Sequence, residues 1–80
     1  MNLEEKLFEA AGRMDGLEMV DLLKEASIHG LTRVEGEKIL ERVYNRLCDA
    51  GTEEQQDLAS DVWDITRNYC HRDYRIWPKQ

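Results

Sequence analysis

Apolar side chains recur at three- and four-residue intervals along most of the chain, the spacing of helices that bury one face. Leu3, Leu7, Ala10, Ala11 and Met14 form the first stripe, and Phe8 widens it. Asn2 followed by Glu5 reads as an N-cap with its capping-box partner. Gly12 and the Asp15-Gly16 pair weaken this segment and predict an end near Met14. Met19, Leu22, Leu23 and Ala26, broadened by Val20, predict a second helix from about Leu17 to Ile28, with Gly30 placed as a left-handed cap.

Thr32-Arg33-Val34-Glu35 is a second capping box and opens the clearest helix of the chain. Gly36, Leu40, Val43 and Leu47 line its apolar face with Ile39, Tyr44 and Cys48 beside them, and Gly51 stops it. Thr52 with Gln55 starts a fourth helix that is expected to reach Tyr69 or Cys70. Its stripe is Leu58, Val62, Ile65 and Tyr69, flanked by Ala59, Trp63, Thr66 and Cys70. No segment alternates with period two between turn residues, so no sheet is expected. The pattern predicts an all-α fold: a small compact bundle of four helices, the first one short, over residues 1–70 as a single domain. Residues 71–80 are expected to form an extended aromatic and basic C-terminal tail. The short connections favour antiparallel neighbours.

Eighty residues leave room for one domain with a thin core, worth roughly 3–5 kcal/mol unless a disulfide, metal, partner or second copy adds to it. Cys48 and Cys70 are the only cysteines, too few for a disulfide framework, and both are expected to be reduced and buried as small hydrophobes. The acidic start, Met-Asn-Leu-Glu-Glu, has no apolar signal core, and no apolar run approaches a membrane span. A cytoplasmic protein with no membrane contact is the expectation.

The formal charge is −6, and its distribution says more than its total. Residues 51–64 carry five acids and no base, whereas residues 65–80 carry four bases and one acid. Glu54, Asp57, Asp61, Asp64 and Asn68 fall on one helical stripe opposite the Leu58–Val62–Ile65–Tyr69 face. Acids in the first turns complement the helix dipole. Asp61 and Asp64 sit further in, where aspartate is a poor helix former and repels its neighbours. Their presence points to a surface for a basic partner. Arg67, Arg72, Arg75 and Lys79 alternate with Tyr69, Tyr74 and Trp77, a mixture found in interface hot spots; the tail can equally fold back over the core.

Chemistry is sparse. Cys70-His71 with Cys48 and His29 lacks the spaced ligand pairs of zinc sites, so no metal and no cofactor are expected. No glycine-rich phosphate loop, G-x-S-x-G or H-E-x-x-H occurs, and four short helices seldom enclose a substrate cavity, so no enzyme is expected. Leu22 through Leu40, with Ala26, Gly30 and Val34, resembles the two-helix unit of helix-turn-helix and winged-helix domains, which implies a transcriptional regulator. The resemblance covers under a third of the chain, and the would-be recognition helix opens with Glu35 and Glu37, which phosphate would repel. Nucleic acid is therefore not the expected partner.

The expected function is that of a small acidic protein-binding module: an inhibitor occupying a basic nucleic-acid or substrate surface of a toxin, nuclease or effector complex. In size and charge the chain is similar to bacteriocin immunity proteins, antitoxins and anti-restriction or anti-CRISPR proteins. Glu54, Asp57, Asp61 and Asp64 would supply charge complementarity, and Trp63, Tyr74 and Trp77 aromatic anchors. The alternative is a homodimeric assembly module joined through the wide stripes of the third and fourth helices.

Overall fold

A computed structural model describes residues 2–66 of the chain. The fold is all-α, as the apolar spacing predicts: α1 (Leu3–Gly12), α2 (Gly16–Ile28), α3 (Arg33–Ala50) and α4 (Glu53–Thr66) make up all the regular structure among the described residues. The expected run of the fourth helix to Tyr69 or Cys70, and the tail at 71–80, lie outside the described residues.

The N-caps form, but at α1 the expected capping box stays half made, because the Glu5 carboxylate turns to Arg46 at 2.9 Å instead of to the Asn2 backbone. Asn2 Oδ1 accepts the Glu5 N–H at 2.8 Å at the start of α1. At the start of α3 the Glu35 N–H donates to Thr32 Oγ1 at 3.2 Å, and the Thr32 N–H donates to Glu35 Oε1 at 3.0 Å. At α4 the Gln55 N–H donates to Thr52 Oγ1 at 3.2 Å, and Thr52 N–H donates back to Gln55 Oε1 at 2.9 Å. Each reciprocal pair satisfies two backbone groups that helix ends otherwise leave bare. Gln55 also donates through Nε2 to the Gly12 carbonyl at 3.1 Å, which ties α4 to the end of α1.

Two helices close with the same backbone device. After α2, the Gly30 N–H reaches Ser27 O and the Leu31 N–H reaches Ala26 O at 2.9 Å, with Gly30 at φ +106°. This is the Schellman arrangement, for which glycine is the natural residue. After α1 the same bonds run from Met14 to Ala11 and from Asp15 to Ala10, and Met14 occupies the left-handed position at φ 57°. Met14 was expected to extend the apolar stripe; instead the reversal lifts it out of the helix and leaves it 50% exposed. Asp15, in turn, caps α2 by accepting the Glu18 N–H at 3.1 Å.

Every helix contributes to one core: Leu7, Ala10 and Ala11; Met19 and Leu23; Leu40, Val43 and Leu47; Ala59 and Val62. Burying each large aliphatic side chain is worth about 1.5–3 kcal/mol. α1 packs on α2 and α3, and α4 packs chiefly on α3 while also touching α2 and α1. The tight turn between α3 and α4 depends on Gly51, where an added Cβ would lie 2.7 Å from Gln55 Oε1 and 2.9 Å from Leu47 Cδ2. Thr66 is fully buried at the end of α4, where its hydroxyl donates to the Trp63 carbonyl at 2.6 Å. The expectation for Cys48 fails, because its side chain is exposed. It lies about 100° round the helix from Leu47, one turn beyond Tyr44, and the cover that α4 gives Tyr44 stops short of it.

Candidate functional site

Of the predicted α4 stripe, Asn68 lies outside the described residues, as does Tyr69 of the facing apolar stripe, and Leu58 and Ile65 of that stripe are only partly buried. Glu54, Asp57, Asp61 and Asp64 are all exposed, whereas Ala59, Val62 and Thr66 on the opposite side of the same helix are buried. At 1.5 Å per residue the four carboxylates form a row about 15 Å long. Among the described residues none of them takes part in an ion pair with a basic side chain. Glu53 and Glu54 occupy the first turn of α4, where they complement the helix dipole. Asp61 and Asp64 lie well beyond it.

Three arginines are engaged elsewhere. Arg42 Nε lies 2.6 Å from Glu4 Oε1, and Arg46 Nη1 lies 2.9 Å from Glu5 Oε1 and 3.5 Å from Glu4 Oε2. The Arg46 guanidinium also sits 4.0 Å above the centre of the Phe8 ring, a cation–π contact. Glu4 thus meets Arg42 and, four residues on, Phe8 meets Arg46, so α1 and α3 run in the same direction. Arg13 spans the α1–α2 connection to Glu18 at 2.6 Å.

Trp63 is half-buried and turned away from the acidic row toward α3, its ring centre 6.2 Å from that of Tyr44 with the planes tilted by 59°. Tyr44 was assigned only to the flank of the α3 stripe. Its hydroxyl is pushed above the ordinary tyrosine value by the charge of Cys48 and a side-chain hydrogen bond with it, with burial and the charge of Asp57 adding. Of the acidic row, Asp57 is thus the member whose charge reaches Tyr44 on α3. The other two proposed anchors, Tyr74 and Trp77, lie outside the described residues, as do Arg67, Arg72, Arg75, Lys79, Cys70 and His71.

The remaining surface has shallow grooves. One along α2 is lined by Asp15, Leu17, Glu18, Asp21, Leu22 and Glu25; another, at the α2–α3 corner, by Leu31, Glu35, Lys38, Ile39 and Arg42. The capping contacts of Thr32, backbone first and then hydroxyl, hold the Glu35 carboxyl below its ordinary value. No three histidine, cysteine or acidic side chains converge as metal ligands among the described residues. No helix among them is long and apolar enough to cross a membrane. No protein-family model matches the chain, and no curated protein or solved structure does either. The fold and its surface are thus the whole basis for a functional reading.

Proposed function

We propose that this chain is an acidic binding module whose α4 row occupies a basic surface of another macromolecule, an inhibitor of the kind that covers the nucleic-acid or substrate site of a toxin, nuclease or effector complex. The observation that carries this reading is the contrast within one small molecule. Arg13, Arg42 and Arg46 pair with acids of α1 and α2, whereas Glu54, Asp57, Asp61 and Asp64 stand exposed in a line with no described base against them. Four carboxylates over about 15 Å present a line of negative charge complementary to a cationic groove, and such a line raises association rates through long-range attraction. Trp63, the aromatic anchor proposed within the described residues, packs on Tyr44 of α3 at the flank of the same helix.

Binding is favoured over catalysis because the row offers charge without a nucleophile and base in reach of each other. A DNA-binding role for the α2–α3 hairpin is the weaker reading. Glu35 and Glu37 stand in the first turns of α3, and Arg42 and Arg46, which would have to reach phosphate, are held by Glu4 and Glu5. A dimer through the wide stripes of α3 and α4 is the weaker alternative, because Leu40, Val43, Leu47 and Val62 are buried within one chain and leave less apolar surface for a second copy.

The test is capture from host lysate on the immobilised full chain at about 50 mM and about 300 mM salt, beside an Asp61→Asn/Asp64→Asn variant. The reading expects a stoichiometric basic protein retained at low salt, released at high salt and lost with the variant. Retention that is indifferent to both salt and variant would refute it.

A further inference from the structure

Leu17 and Ile28 are each 81% exposed, more than any other large hydrophobic side chain described. Both belong to α2, and eleven residues of helix bring them to within about 20° of the same azimuth. Asp21 and Lys24 fall on that line between them. The order Leu17, Asp21, Lys24, Ile28 has the four-three-four spacing of an interhelical seam. It runs along the side of α2 opposite Met19 and Leu23, which are fully buried, and among the described residues it leaves Leu17 and Ile28 open with Lys24 partly covered.

The seam is complementary to its own reverse. When α2 is laid antiparallel on a second α2 about the point between Leu22 and Leu23, Leu17 meets the partner's Ile28 and Asp21 meets the partner's Lys24. The two-fold axis repeats both contacts. A parallel pairing would instead set Asp21 against Asp21 and Lys24 against Lys24. Glu18 and Glu25 flank the seam on one side; the charge of Glu18 is already matched by Arg13 at 2.6 Å within the same chain, which leaves the exposed Glu25 as the like charge that two copies bring together. We propose that the outer face of α2 is a self-association surface, which pairs antiparallel with α2 of a second copy of this chain. The proposal is independent of the acidic row on α4, and a dimer of this form carries two such rows.

One helix about 20 Å long covers much less than the ~800 Å² per partner of a standard stable interface, so the dimer is weak and forms reversibly with concentration. Sedimentation velocity on the full chain, from about 10 µM to about 1 mM, reads this directly. Wild type is expected to shift from monomer toward dimer across that range. Leu17→Glu/Ile28→Glu is expected to stay monomeric throughout while its circular dichroism and melting temperature are retained, because both side chains face solvent. Asp21→Lys alone, which sets lysine against lysine twice, is expected to weaken association about tenfold, and Asp21→Lys/Lys24→Asp to restore it. A wild-type chain that remains monomeric at about 1 mM overturns the proposal and leaves this face to a different protein. So does a dimer that survives Leu17→Glu/Ile28→Glu, or a charge swap that fails to restore what Asp21→Lys removes.

Discussion

Glu4 and Glu5 on α1 and Asp61 and Asp64 on α4 are both pairs of acids on outward-facing helix surfaces, yet their surroundings differ. The α1 pair is only partly exposed, with Glu4 at 25%, and both members face guanidinium groups of α3. Contacts of this kind are worth about 0.2–1 kcal/mol each, and the stacking of Arg46 on Phe8 adds a similar amount. The charge of α1 is thus consumed in joining α1 to α3. On α4 the acids are exposed and without a described base, and their mutual repulsion costs a few tenths of a kcal/mol. A helix that spends charge on the fold and a helix that leaves charge unspent can be told apart only by where the basic side chains go. The acid count of each segment is blind to it.

The comparison can be broken or sharpened by substitution. Leu40→Ala removes a fully buried side chain of α3 beneath both faces and is expected to cost about 2–5 kcal/mol, enough to abolish cooperative thermal melting and both surfaces together. Arg46→Ala, followed by thermal melting at low salt, is expected to lower stability by about 1–1.5 kcal/mol through loss of the Glu5 contact and the Phe8 stacking, while partner binding by α4 persists. Thr52→Ala removes the cap that starts α4 and is expected to cost about 1 kcal/mol in chemical denaturation.

Acid sensitivity has a source in Glu35. Its carboxyl titrates lower in the folded chain than its ordinary value of 4.5, first because the Thr32 backbone N–H favours the charged form. The stabilisation it supplies is therefore complete above pH 4.5 and is lost as pH falls through the lower folded value. Glu35→Gln is expected to flatten that limb of the acid-melting curve. The smallest effect is the most informative one. Asp61→Asn/Asp64→Asn is expected to leave melting unchanged or raise it by a few tenths of a kcal/mol, because only like-charge repulsion is removed.

Much of this fold is legible in the residue order because its signals are local. Asn2–Glu5, Thr32–Glu35 and Thr52–Gln55 are capping pairs three residues apart, and each forms the bond its spacing implies. Gly30 marks the end of α2 for the same reason. Met14 misleads because its three-residue step from Ala11 fits the stripe, whereas the chain has already turned left-handed there under a Schellman pattern that normally selects glycine. Cys48 misleads because a stripe has no sharp edge in sequence, and only the position of α4 decides which flank is covered. The acidic row is readable from its three- and four-residue steps. The pairing of Arg42 and Arg46 with α1, about forty residues away in sequence, and the tilt of Trp63 onto Tyr44 are tertiary facts with no local signal.

The most direct test compares neutralisation of the two acidic pairs against the same captured partner. Affinity and melting temperature are measured for Glu4→Gln/Glu5→Gln and for Asp61→Asn/Asp64→Asn over a salt series. The account predicts a crossed outcome: the α1 variant melts lower and binds as wild type does, and the α4 variant melts as wild type does but binds more weakly and with a shallower salt dependence. Equal loss of affinity in both variants, or undiminished affinity in the α4 variant, would contradict it.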